Sequence, residues 1–256
     1  MLLLGGHLLF YLAAMGFLAG FVDSIAGGGG LITTPALLTI GITPHLALGT
    51  NKLAATCGAF NAARIFIKKD ILRPYLWSAA ILATANGAIL GVLVNHLLST
   101  QFLGDILPFL IIGVAIYVGF YRPKSLVPEP AAFKNYQPPK PSSGLTGLIL
   151  GFYDGCFGPG TGSFWTCTVM MLYRLDLLTA SGIARLMNFI SNIVALLTFM
   201  ALNQVNYRVG LMLAVGLLLG SWVGANSAIR FGAKFIRPIF LAVVILMAVN
   251  ILWQRL

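Results

Sequence analysis

Charge is scarce in this 256-residue chain: 9% of its residues are Asp, Glu, Lys or Arg, against about 25% in a soluble domain. With 59% hydrophobic residues, it could not cover its own surface in water. Cysteine is equally sparse. Cys57, Cys156 and Cys167 lie inside apolar segments without a C-x-x-C spacing, which leaves small-residue packing as their reading. The three histidines, His7, His45 and His96, are scattered near segment ends with no HExxH spacing, so no metal and no cofactor is expected. Alternation of apolar and polar residues over segments of about 10 is missing too, which excludes a membrane β-barrel. No basic n-region precedes the first apolar segment, which is therefore read as part of the mature fold.

What the chain does have is apolar segments, many of them close to the roughly 20 residues a helix needs to cross hydrocarbon. They fall at 8–26, 31–41, 45–67, 74–98 and 102–121, then at 144–157, 162–173, 177–202, 207–231 and 235–254. The net charge of +10 comes from basic residues at the ends of these segments, such as Lys68, Lys69 and Arg73, or Arg230, Lys234 and Arg237. Short cytoplasmic loops produce that pattern, and it points to a lipid bilayer as partner and away from nucleic acid. One long polar stretch, Pro-rich and carrying Arg122, Lys124, Glu129, Lys134 and Lys140, divides the chain nearly in half. The expected organisation is a first transmembrane repeat at 1–121, a cytoplasmic linker at 122–143 and a second repeat at 144–256.

The halves match in order. Gly20-Phe21-Val22-Asp23 with Gly27 and Gly29 recurs 131 residues later as Gly151-Phe152-Tyr153-Asp154 with Gly158 and Gly160. A shift of 133 carries Lys52 to Arg185, Phe66 to Phe199, Gly87 to Gly220 and Gly91 to Gly224, and Pro108 pairs with Pro238 after a small deletion. Corresponding loops carry opposite charge bias. The segment ending at Ile67 runs into Lys68 and Lys69, whereas its counterpart ends at Asn203 to Tyr207 with only Arg208 nearby. The expected fold is an all-α integral membrane protein of two inverted-topology repeats, about 4–5 segments each and about 8–10 in total. The short segments 31–41 and 162–173 either cross in a protein-filled region or re-enter, giving glycine-rich broken or re-entrant helices.

Three paired features are candidates for chemistry. Two of only six acidic residues, Asp23 and Asp154, hold equivalent places. An intramembrane carboxylate is expensive, so each either braces the neighbouring glycine loop or carries a coupling proton or ion. The loops Gly27-Gly28-Gly29-Gly30 and Gly158-Pro159-Gly160-Thr161-Gly162 each precede a new helix start. Helix N-termini attract anions; close packing through small residues is the plainer reading, and it better suits Gly87-x-x-x-Gly91 and Gly220-x-x-x-Gly224. Lys52 and Arg185 lie inside apolar segments beside Thr50, Asn51 and Thr56, and beside Asn188, Ser191 and Asn192. They either meet an oxyanion or pair with the aspartates. Arg64, nearer Lys68 and Lys69, reads as an interfacial anchor.

The stretches GFVDSIAGGGGLITTPALLTIG (20–41), HLALGTNKLAAT (45–56) and GFYDGCFGPGTGSF (151–164) resemble the TauE/SafE (TSUP) family of sulfite exporters. The resemblance covers essentially the whole chain. It implies a multi-pass protein of the bacterial inner membrane that transports small sulfur-containing or organic anions such as sulfite and sulfonates. Ala184 and Arg185 stand where the first half has Asn51 and Lys52, so the halves need not play equal roles.

Together these features point to a secondary carrier for a small anion, bound between the glycine loops. Gly27, Gly28, Gly29, Gly30, Gly158, Gly160 and Gly162 would supply backbone amides. Lys52 and Arg185 would neutralise substrate charge, and Thr33, Thr34, Asn51 and Asn188 would hydrogen-bond. A homodimer is compatible with this arrangement. An anion channel is the alternative. An intramembrane enzyme is a weaker one, because the chain shows neither a GxSxG motif nor a His/Asp grouping.

Overall fold

The computed structural model describes residues 6–120, 136 and 138–231. The expected tenth segment at 235–254, with Lys234, Arg237 and Pro238, lies outside the described residues, as does most of the linker. Among the described residues the chain is helical throughout: α1 Gly6–Ala26, α2 Gly29–Thr39, α3 Pro44–Lys68, α4 Ser78–Leu97, α5 Thr100–Phe120, α6 Lys140–Cys156, α7 Thr161–Tyr173, α8 Leu177–Ala201 and α9 Tyr207–Phe231. A 3-10 turn at Pro74–Trp77 leads into α4.

Local chemistry sets most of these boundaries. Pro44 opens α3 in the first turn, where its missing N–H costs nothing. Pro141 does the same for α6, which starts at Lys140, four residues before the apolar run itself. Asp176 caps α8 by accepting from the amides of Leu178 (2.9 Å) and Thr179 (3.0 Å). Helix α1 stops at Gly27, whose φ of 87° lies in the left-handed region, and α6 stops before Gly158, whose φ is 90°. The following helices begin at Gly29 and Thr161, two residues ahead of the expected starts at Leu31 and Ser163.

Among the described residues, four stretches are long and apolar enough to cross a membrane: His7–Ala26, Pro74–Leu97, Leu177–Ala201 and Tyr207–Phe231. Helix α3 has the length, 25 residues, but carries Asn51, Lys52, Asn61, Arg64 and Lys68, which lower its apolarity. The short helices α2 and α7, with 11 and 13 residues, reach only about 17 and 20 Å at 1.5 Å per residue. Polarity is inverted relative to a soluble protein. Phe10, Leu82, Leu97, Leu211 and Trp222 are exposed, while Lys52, Asp154 and Arg185 are buried. That is the arrangement for a chain whose outer solvent is lipid.

Packing crosses between the halves. Helix α1 lies mainly against α9, and α4 mainly against α6. Both seams are built on small residues. Gly147, Gly151 and Gly155 of α6 face Ala80, Thr84 and Ala88 of α4, and Gly87 and Gly91 of α4 face the α6 backbone from Leu148 to Cys156. The second seam repeats the device: Gly16 and Gly20 of α1 meet Leu213 and Leu217, while Gly216, Gly220 and Gly224 of α9 meet Ala13, Phe17, Phe21 and Ser24. A Cβ at most of these glycines would overlap a backbone carbonyl across the seam. Van der Waals contact at that range replaces the hydrophobic drive that lipid cannot supply. The two seams leave α3 and α8 packed on each other, with their polar faces buried around the loops that end α1 and α6.

Candidate functional site

The two glycine loops meet. Ser163 Oγ at the start of α7 donates to the carbonyl of Ala26, the last residue of α1, at 2.8 Å. Gly27 touches Gly162 so closely that a Cβ on it would overlap the backbone of Gly162 and Ser163. Gly30 comes up against Pro159 in the same way, with a Cβ position 3.2 Å from its Cα. The missing side chains let two backbones and two helix N-termini converge at one point.

Each loop is tied to the aspartate before it. The Gly29 amide donates to Asp23 Oδ1 at 3.1 Å, and the Thr161 hydroxyl donates to Asp154 Oδ1 at 2.9 Å. The carboxylates also hold the two buried cations, and they do so crosswise. Lys52 Nζ of α3 lies 2.8 Å from Asp154 Oδ1 of α6. Arg185 Nη1 of α8 lies 3.6 Å from Asp23 Oδ2 of α1. Each basic residue thus neutralises the acid of the opposite half. Arg185 also donates from Nε to the Ser181 carbonyl at 3.3 Å and from Nη2 to the Gly162 carbonyl at 3.4 Å. Buried ions are tolerated only when paired and hydrogen-bonded in this manner.

A small polar cavity lies between the loops, with room for about one or two water molecules. From the first half, Asp23, Gly27, Gly29, Gly30 and Asn51 line it; from the second half, Asp154, Gly158, Gly160, Gly162 and Asn188 do. Those ten were expected from sequence. Five other expected residues stand behind the wall. Gly28 precedes the first turn of α2. Thr33 bonds to Asn51 Oδ1 and to the Gly29 carbonyl, so it orients the amide instead of facing the cavity. Thr34 is buried, and its hydroxyl finds no hydrogen-bond partner among the described residues. Lys52 and Arg185 support the lining aspartates from outside, with Arg185 Nη2 pressed against Gly27 and Gly162.

Four more residues line the cavity: Thr161 and Asn192, which the sequence reading named in the loop and beside Arg185 without giving them a contact, and Ala55 and Leu217, which it did not name. Two of them carried a signal. Asn192 lies one helical turn after Asn188, the spacing that puts both on one face. Ala55 is the counterpart of Asn188 under the 133-residue shift, which any symmetric site would include. Leu217 comes from α9, and nothing local in the sequence associates it with the loops.

The amides are unevenly shared. Asn188 and Asn192 on α8 correspond to Ala55 and Ala59 on α3, while Asn51 on α3 corresponds to Ala184 on α8. Asn188 Oδ1, Asp154 Oδ2 and Arg185 Nη1 are buried without a hydrogen-bond partner among the described residues. Unsatisfied polar atoms of this kind are costly, and all three belong to residues at or directly behind the cavity wall.

The profile of the sulfite exporter TauE/SafE family matches residues 12–251. The chain is similar to "Probable membrane transporter protein ORF9" of Sinorhizobium sp, with 38% identity over 96% of this chain and 93% of that relative. It is 37% identical to "Probable membrane transporter protein YfcA" of Escherichia coli K12, over 99% of this chain and 91% of the relative. A "Probable membrane transporter protein" of Haemophilus influenzae is 35% identical over 98% of this chain and 97% of the relative. No solved structure matches the chain. With a family profile and relatives that both run nearly end to end, the chain belongs to the sulfite exporter TauE/SafE family of membrane transporters.

Proposed function

We propose that the protein is a secondary carrier for a small anion, a sulfur-containing oxyanion or organic acid such as sulfite or a sulfonate, in the bacterial inner membrane. The observation that carries this reading is the cavity between two broken helices, lined from both halves by glycine backbone, three asparagines and two aspartates. Helix N-termini at α2 and α7 direct partial positive charge toward it. Arg185 stands directly behind Gly27 and Gly162, where a guanidinium suits an oxyanion.

A division into repeats at 1–121 and 144–256, joined by a linker at 122–143, belongs to the same proposal. Four matched helix pairs in the same order support it: α1 with α6, α2 with α7, α3 with α8 and α4 with α9. Inverted repeats place a substrate site at their interface and open it alternately to either side. The small cavity fits a closed stage of that cycle better than an open pore.

The test is thermal unfolding of the purified protein against sulfite, thiosulfate, methanesulfonate and acetate, followed by counterflow of the stabilising anion in proteoliposomes. A ligand that binds only the folded state raises the unfolding temperature. Saturable counterflow is the expected result. If none of these anions stabilises the protein or exchanges across the bilayer, the carrier reading fails; large single-channel currents would favour a channel instead.

A further inference from the structure

The four charges around the cavity cancel. Lys52 is matched by Asp154 and Arg185 by Asp23, so an anion arriving here adds an unbalanced negative charge in a buried place. Such a charge is far more costly than one hydrogen bond can repay. A proton taken up by one of the carboxylates restores the balance.

The two carboxylates are not equivalent. Asp154 is clamped by Lys52 at 2.8 Å and by the Thr161 hydroxyl at 2.9 Å, and its side chain is 4% exposed. Asp23 lies 3.6 Å from Arg185, accepts a hydrogen bond from a backbone amide at 3.1 Å, and its side chain is 15% exposed. Asp23 is thus both the looser and the wetter acid. Its own ion-pair partner is also the better oxyanion ligand. Arg185 Nη1 makes no hydrogen bond among the described residues, and a guanidinium remains charged once its carboxylate partner is neutralised.

We propose that Asp23 takes up one proton with each anion, releasing Arg185 to hold the oxyanion and making the transport of a monovalent anion electroneutral. This deepens, and rests on, the anion-carrier reading above. The proton comes from water reaching the cavity and adds to Asp23 Oδ2, leaving Oδ1 to accept from the Gly29 amide. It returns to water when the anion leaves, and only this O–H bond forms and breaks. The groups that set the titration come from several helices. Arg185 faces Asp23 from α8, Lys52 acts from α3, and Asp154 lies across the cavity on α6. Helix α2 carries no titratable side chain, and α7 carries only Cys167 and Tyr173. Helix α9 meets α1 through Leu213, Leu217, Gly220 and Gly224.

The experiment uses methanesulfonate, whose single negative charge does not change over the working pH range, so any proton that moves is the protein's. In proteoliposomes of the full chain, a gradient of about one pH unit, acidic on the methanesulfonate side, should raise accumulation about tenfold. A potassium–valinomycin potential of either sign should leave the rate unchanged. Asp23→Asn should retain reduced counterflow yet lose the response to pH, and Asp23→Glu should regain it. Accumulation that follows the potential and ignores pH would overturn the proposal, as would a pH response that survives in Asp23→Asn. Loss of counterflow in an Asp23→Asn protein that elutes as a folded species would overturn it too, because the neutral form would then not bind the anion. Counterflow without pH drive in the unaltered protein defeats only the proton assignment. Absence of stabilisation and counterflow with all four anions named above defeats the carrier reading itself.

Discussion

Lys52 of α3 and Asp154 of α6 form a 2.8 Å ion pair, both side chains almost wholly buried. They are 102 positions apart in sequence and belong to opposite matched sets of helices. The pair therefore fastens one half to the other, as does its weaker counterpart between Arg185 and Asp23.

Lys52→Met should leave Asp154 as an uncompensated buried charge. Breaking one side of such a pair costs about 3–5 kcal/mol. The expected result is a clear loss of thermal stability in detergent, partly recovered when Asp154→Asn is added in the same chain. A double-mutant cycle on the unfolding temperature checks the coupling. A loss in the double variant equal to the sum of the two single losses would mean that the pair contributes nothing.

Two glycines with positive φ separate close approach from backbone strain. At Gly27 a Cβ would overlap the Gly162 backbone and come within 2.7 Å of Arg185 Nη2, whereas at Gly41 nothing lies within 4 Å. Gly41→Ala should cost only the left-handed strain, roughly 1–2 kcal/mol, and keep transport. Gly27→Ala should force the loops apart and abolish counterflow.

The α4–α6 seam gives a second contrast. Gly91 faces the backbone of Phe152, Gly155 and Cys156, while Gly144, in the first turns of α6, faces open space. Gly91→Ala should destabilise the folded protein. Gly144→Ala should be neutral or stabilising by up to about 1 kcal/mol, because alanine loses less backbone entropy in a helix. Thermal unfolding of both variants under identical detergent conditions distinguishes them.

The uneven amides predict uneven substitutions. Asn188→Ala removes a lining amide and should weaken anion binding roughly 10-fold or more, given about 1.5–3 kcal/mol for a hydrogen bond to a charged group. Ala55→Asn places an amide at the matched position of α3 and should recover part of that loss in the Asn188→Ala background. The concentration dependence of ligand-induced thermal stabilisation measures both.

Much of this architecture is written locally. Apolar run lengths place the helices α1 to α9 within a few residues, since a helix in lipid must satisfy its own backbone and present an apolar exterior. The glycine clusters mark the two breaks, because Gly27 and Gly158 need angles that other residues resist. Asp23, Asp154, Lys52 and Arg185 stand out by themselves, since charge inside an apolar segment requires a reason. Near-constant shifts of 131 and 133 tie these features into matched sets.

Sequence by itself therefore determined which groups are unusual and which are counterparts. It left open which acid each base would meet, because spacing along a helix fixes a residue's face but not the helix opposite it. Tertiary packing decided that. The glycine seams join α1 to α9 and α4 to α6, and this exchange carries Asp23 to Arg185 and Asp154 to Lys52. It also drew in Leu217 from α9 and turned Thr33 and Thr34 away from the cavity. Local spacing contains none of these contacts, for they follow from how closely two distant backbones can approach.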